Sequence, residues 1–419
     1  MSSSARLTGA YVLLVALALL AATSSAFAVK IAYTVGSDAP GLGHCDAADI
    51  PTAVAMAKAN PPHTVFVARN ATYSAQAITI DNQDVLIVGG FNNCGDFLAP
   101  SFYTPLSGVG NGGQSVISIT GISHVSLSHL TISTSGSGPS PSKGGGISFI
   151  GAGSLDLNDM TVTNNRADSG GGIYLDGSSG AGTLTFGNNV LVQNNDAGLG
   201  GGVYLQGTAH LLMSATGTQV SSNVAPPSPG PGWGGGIYLL GPAQADIGAP
   251  GIAGHGAIYN NSAESGGGIY VQGSAAGKAV LTLFTTDPAH PVFLDSNLAS
   301  FGGALWIDAH LGPAVACLFD MHIGSNTAGG DAVAYSDGAD LYINANPGGA
   351  CSSTALATAV RCTPGPGCNE ISANTDTFSG FGLIGMVGGV LEADRIIFRG
   401  SNISDYAVSS TGGQRHISN

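Results

Sequence analysis

One phrase returns along this chain, and it restricts the possible folds more than anything else in the sequence. NNRADSGGGIYLDG runs from Asn164 to Gly177. It comes back as NNDAGLGGGVYLQG from Asn194 to Gly207 and as NNSAESGGGIYVQG from Asn260 to Gly273. A looser copy, SNLASFGGALWIDA, spans Ser296 to Ala309. Self-similarity at a period of a few tens of residues marks a chain that stacks one supersecondary unit on the next. Glycine runs beginning at Gly144, Gly170, Gly200, Gly234, Gly266 and Gly302 set steps of 26, 30, 34, 32 and 36 residues. Unequal steps suit coils whose core strands are fixed while their loops vary. The clearest inserted loop is APPSPGPGW, Ala225 to Trp233, whose four prolines argue for a rigid excursion.

Within GGGIYL the side chains of a strand alternate. Ile173, Val203, Ile237, Ile269 and Leu305 therefore form one inward row, and Leu175, Leu205, Leu239, Val271 and Ile307 extend it. Like apolar side chains stacked ~4.8 Å apart make a continuous dry core. The glycines ahead of them permit a corner that a Cβ would block. An apolar residue also stands three places before an asparagine: Val162 and Asn165, Val192 and Asn195, Val220 and Asn223, Ile258 and Asn261, Ile323 and Asn326. Asparagine tolerates the left-handed backbone, and its amide can hydrogen-bond the next copy, so these residues predict a ladder along one corner. Lys, Arg and Glu are too scarce, and 66 glycines too many, for a helical solenoid. A propeller needs larger and more regular repeats. The prediction is an all-β fold, a right-handed parallel β-helix solenoid with a short N-terminal helical cap.

The ends read differently from the middle. Arg6 precedes an apolar run, Tyr11 to Ala22, and Ala26-Phe27-Ala28 offers a cleavage site, so residues 1–28 read as a secretory signal peptide. The run is short for a membrane anchor, and no later stretch reaches the ~20 apolar residues of a spanning helix. Residues 29–100 are the expected N-terminal cap and first coils. Asp49 is the N-cap of a helix with Ile50, Val54 and Ala57 on its apolar side; Pro51 falls in its first turn, and Pro61 and Pro62 end it. Residues 101–419 are the expected β-helix with variable loops and a Cys-containing insertion near 351–368. Of six cysteines, Cys45 and Cys94 are the expected bridge. Cys317, Cys351, Cys362 and Cys368 allow three pairings, and the sequence does not choose among them. RCTPGPGC also reads as a loose zinc motif, with no histidine near it.

With VTNN leading to GGGIY (Val162 to Tyr174), VQNN to GGGVY, IYNN to GGGIY and LDSN to GGALW (Leu294 to Trp306), the repeats resemble those of the polymorphic outer membrane proteins of chlamydiae and of many secreted bacterial β-helix proteins. Most copies here differ by a third glycine. The N-terminal region also resembles the start of the pectin-lyase-like superfamily. The resemblance spans roughly residues 45–335 and implies a fold that hosts many functions. Large members carry a C-terminal outer-membrane barrel. Few residues follow Gly389, so export through a barrel of this chain's own is not expected.

That superfamily includes polysaccharide lyases and glycoside hydrolases. A lyase of the kind needs calcium-binding carboxylates and a nearby basic residue. Arg166, near Asp168, is the best candidate, but other copies put Asp196, Val224 and Ser262 at its position. Hydrolase-like fragments Gly254-His255-Gly256 and Asn374-Thr375-Asp376 stand in reversed order and several coils apart. His44, His124, His129, His255 and His290 share no spacing. GSGPSPSKGGG is no phosphate loop, because Lys143 precedes the glycines and no helix follows. No catalytic, metal or cofactor residue is assigned.

One stripe remains. Tyr174, Tyr204, Tyr238, Tyr270 and Trp306 recur at one outward position, beside Asp176, Gln206, Gln272 and Asp308, with Leu240 interrupting. Stacked aromatics with polar neighbours suit an extracellular polysaccharide or a host or cell-surface glycan. They also simply shield a sheet. A net charge of −14 with 11 Lys and Arg disfavours nucleic acid. The expected function is adhesion or glycan contact by a secreted protein, extracellular or on the outer cell surface, without catalysis. A pectin-lyase-like carbohydrate-active enzyme is the alternative.

Overall fold

The described residues of the computed structural model are 30–37, 45–95, 100, 102–134, 139–228, 230–248, 258–284, 292–319, 321–343, 370–377, 382–394, 397–399 and 406–418. The expected signal peptide, His44, His255, His290 and the Cys-containing insertion lie outside them. One coil shows how the repeat folds. Strand Ile173–Phe186 lies in a long sheet, Val190–Gln193 in a second sheet and Asp196–Leu199 in a third; Val203–Met213 then returns to the long sheet beside Ile173–Phe186. Pairing is parallel in all three sheets. The chain is an all-β parallel β-helix. Among the described residues no helix is long and apolar enough to cross a membrane.

Equivalent residues fall in register: Ile173 on Val203, Val203 on Ile237, Ile237 on Ile269, Ile269 on Leu305, then Leu305 on Ala334. Both inward rows are fully buried and belong to one core that runs from Tyr33 to Ala393. Full burial of each such aliphatic side chain contributes about 1.5–3 kcal/mol. The variable steps between repeats are absorbed by loops while this register is kept. Even the large step between Asn326 and Asn374 leaves their side chains hydrogen-bonded at 3.0 Å.

The corners depart from expectation in one respect. The left-handed residue at the asparagine corner is the one before the ladder asparagine: Asn164, Asn194, Ser222, Asn260, Ser296 and Ser325, with φ between 53° and 56°. The ladder asparagine itself turns inward. Position, rather than residue type, sets this φ, because serine fills it in three coils. At the second corner the first glycine of each run is left-handed, as at Gly200 (φ 59°). The third glycine answers a different constraint. A Cβ on Gly202 would lie 2.6 Å from the Gly236 carbonyl and 2.9 Å from the Asn223 amide.

The helix forms over Ile50–Ala59 with Asp49 accepting from the Thr52 amide at 2.8 Å. Its buried face, Ile50, Ala53, Val54 and Ala57, joins the common core at the N-terminal end. That face covers an apolar end that a stacked coil would otherwise leave wet. Cys45 and Cys94 are disulfide-bonded, with Cα atoms 5.3 Å apart. Cys317 is also disulfide-bonded, to a partner outside the described residues. It is fully buried on the outer face of the long sheet, among Val280, Phe284, Val315 and Phe319.

Candidate functional site

Two ladders run along the solenoid, and the first is wholly structural. The Asn195 backbone N–H and Nδ2 both donate to Asn223 Oδ1 at 3.0 Å, and Nδ2 donates again to the Val162 carbonyl at 3.0 Å. Asn165 repeats this toward Asn195, and the pattern continues through Asn261 and Asn297 to Asn326, whose amide meets Asn374. All seven amides are buried. The Asn-Thr-Asp fragment that resembles a hydrolase motif is thus the last described rung, with Asn374 Nδ2 donating to the Ile323 carbonyl at 3.1 Å. Arg166, the lyase candidate, sits in a solvated ion pair with Asp196 of the next coil at 3.6 Å. Gly254-His255-Gly256 lies outside the described residues. His124 is exposed against Ser154 Oγ at 3.2 Å, and half-buried His129 stacks on Tyr103.

The second ladder is the aromatic row. Tyr174, Tyr204, Tyr238 and Tyr270 are in register on the outer face of the long sheet. Their centroids are 5.1, 5.0 and 5.3 Å apart, with planes within 18° of parallel. They face away from the core, yet each is only 2–5 % exposed. Part of the cover comes from the proline-rich loop, which returns Trp233 to stack on Tyr270 at 5.1 Å and on Tyr238 at 6.4 Å. Leu199 and Leu240 pack on the same cluster. Lys143 closes the N-terminal end, 4.9 Å over the Tyr174 ring and 3.9 Å from Asp176.

The polar residues beside the rings serve them. Tyr174 and Tyr204 donate to Asp176 and Gln206 of their own coils at 3.4 and 3.0 Å, and Gln206 donates to Asp176 at 2.7 Å. Where Leu240 interrupts the polar row, the Tyr238 hydroxyl reaches forward to Gln272. Burial pushes the Tyr204 hydroxyl up to about 12 and raises those of Tyr174, Tyr238 and Tyr270 further. Burial alone would raise Asp176 as well. Hydrogen bonds from Ser178 and Gln206 and the Lys143 charge outweigh it and hold the carboxyl below its ordinary value.

The row changes character at its C-terminal end. Trp306 continues it 5.9 Å from Tyr270, and Tyr335 follows 4.3 Å from Trp306 with the rings inclined at 42°. Both rings are only half-buried. Beside them Asp308 and Asp337 stand in register on neighbouring coils. Asp308 is 8 % exposed and accepts from Tyr270 Oη at 3.1 Å, Gln272 Nε2 at 2.9 Å and the His310 amide at 2.8 Å. His310 and the half-buried Asp337 complete a group whose ligand atoms all lie within 4.8 Å of one another. Tyr335 and Asp337 lie one coil beyond the aromatic row expected from the sequence. The signal was there: Tyr335-Ser336-Asp337-Gly338 repeats the spacing of Tyr174-Leu175-Asp176-Gly177, behind a glycine run that has decayed to Asp331-Ala332-Val333.

Comparison with known protein families, with curated proteins and with solved structures finds no match.

Proposed function

We propose that this chain is a secreted, pectin-lyase-like β-helix that works by binding rather than by catalysis, in adhesion or glycan contact outside the cell or on its surface. The signal-like residues 1–28 and the Cys45–Cys94 bridge support an oxidising, exported setting. The observation that carries the reading is the opening of the aromatic row at Trp306 and Tyr335. There two partly exposed rings lie beside carboxylates, whereas the four tyrosines before them have their faces covered by one another and by Trp233. An aromatic face with hydrogen-bonding groups at its rim suits a sugar ring, which presents C–H and hydroxyl groups together.

A glycan array tests this. Trp306→Ala with Tyr335→Ala should weaken binding at least about tenfold, while Tyr204→Ala and Tyr238→Ala should act through stability alone. Unchanged binding by the Trp306/Tyr335 double variant would remove this surface as the contact.

One observation favours the enzymatic reading. Asp308 and Asp337 put carboxylate oxygens within 4.8 Å, near the separation of about 5–5.5 Å used by retaining glycosidases. Polysaccharide turnover that Asp337→Asn abolishes would replace binding with hydrolysis as the function.

A further inference from the structure

We propose that Asp308, His310 and Asp337 form a binding site for a divalent transition-metal ion of the zinc kind. The inference stands apart from the glycan reading.

Asp176 holds the same outward position in its own coil as Asp308 and Asp337 do in theirs. Asp176 has a counter-charge, Lys143, at 3.9 Å. Asp308 and Asp337 have no Lys or Arg partner among the described residues, and the one basic group near them is His310, whose Nδ1 is 3.9 Å from Asp337 Oδ2. Like charges directly opposite on adjacent strands repel, and Asp308 is nearly buried. A cation between them turns that repulsion into coordination.

Each of the three residues offers one ligand atom, and all three atoms lie within 4.8 Å of one another. Ligands at ~2.0–2.2 Å on a tetrahedral zinc are about 3.4 Å apart, so His310 Nδ1 and Asp337 Oδ2, 3.9 Å apart, and the group as a whole, within 4.8 Å, must draw together. The side chains of His310 and Asp337, 78 % and 35 % exposed, are free to make that movement. Asp308 need not move. Tyr270, Gln272 and the His310 amide already fix its two oxygens, as outer-shell donors orient a metal-binding carboxylate. One imidazole with two carboxylates suits zinc better than calcium, which takes oxygen ligands and would gain nothing from His310. The pair cannot serve equally as a glycosidase dyad. That chemistry keeps one carboxyl protonated, whereas a cation site needs both ionised.

Calorimetric titration of Zn²⁺ into the chelator-treated full chain tests the site with no glycan present. The wild type should bind one equivalent more tightly than it binds Ca²⁺. His310→Ala and Asp337→Asn should each weaken Zn²⁺ binding at least about tenfold, and Lys143→Ala should not. His310→Ala is the safer variant, because its side chain is mostly solvent-exposed and holds no core contact; circular dichroism checks that it folds. Absence of Zn²⁺ binding at millimolar concentration would overturn the proposal, leaving His310 as no more than a solvent-exposed neighbour of Asp337. Binding that survives both substitutions, or tighter binding of Ca²⁺ indifferent to His310→Ala, would overturn it too.

Discussion

Along the asparagine corner every coil does the same thing. Asn195, Asn223 and Asn261 each spend their amide on the next rung and on a carbonyl of the previous coil, and nothing is left over for a ligand. Along the aromatic row the coils begin alike and then diverge. Four tyrosines stack face to face, Trp233 covers two of them, and the row ends in two half-exposed rings beside a pair of carboxylates. Both rows come from the same in-register stacking, so the difference lies in what each side chain has left unspent. Strict identity from coil to coil marks a residue used up by its neighbours. Where the packing changes, at half-buried Trp306, Tyr335 and Asp337 and at exposed His310, groups remain available.

The largest loss falls on the asparagine ladder. Asn223→Ala should lower unfolding stability by about 4 kcal/mol, because the Asn195 N–H and Nδ2 and the Val192 carbonyl lose their partners together in a dry corner. Urea denaturation measures it, and a loss below about 1 kcal/mol would show that the ladder is dispensable. Tyr238→Ala should cost about 3 kcal/mol by removing a buried ring between two stacked neighbours. Tyr238→Phe should cost about 1 kcal/mol, since only the hydroxyl contact with Gln272 goes. If the two Tyr238 variants lost equally, the stacking would contribute nothing.

The last effect is confined to alkaline pH. The folded-state values of Tyr174, Tyr204, Tyr238 and Tyr270 are raised by burial. Their contribution to stability is therefore full below the unfolded value of about 10 and is lost as pH rises through the folded values. Tyrosinate absorbance should lag in the folded chain and appear near pH 10 when urea is present. Coincident titration curves would mean the rings are open to solvent.

Much of this fold was legible in the sequence, because stacking imposes a period and burial imposes residue type. Ile173, Val203 and Ile269 were readable as core from alternation alone, and Asn165, Asn195, Asn223, Asn261 and Asn326 as a ladder from spacing alone; the rung at Asn297 was not among them. The left-handed corner was assigned one residue late, since Asn164-Asn165 and its copies present two asparagines with different duties. The aromatic row was legible in position but not in exposure. Its cover, Trp233, comes from the inserted loop, and no local pattern says where a loop returns. Asp337 and Tyr335 escaped because the glycines ahead of them are gone, although the register persists.

The repeated pattern is enough to make this chain coil, to choose which residues face the axis and to place the corners. Those are consequences of a repeated pattern of apolar, glycine and asparagine residues acting locally and on the adjacent coil. Which outward groups are sealed and which converge depends instead on contacts between coils and loops. Asp308, His310 and Asp337 come from two coils, and the cover over the tyrosines from a loop. Their meeting depends on loop lengths and stacking order, which no single repeat encodes.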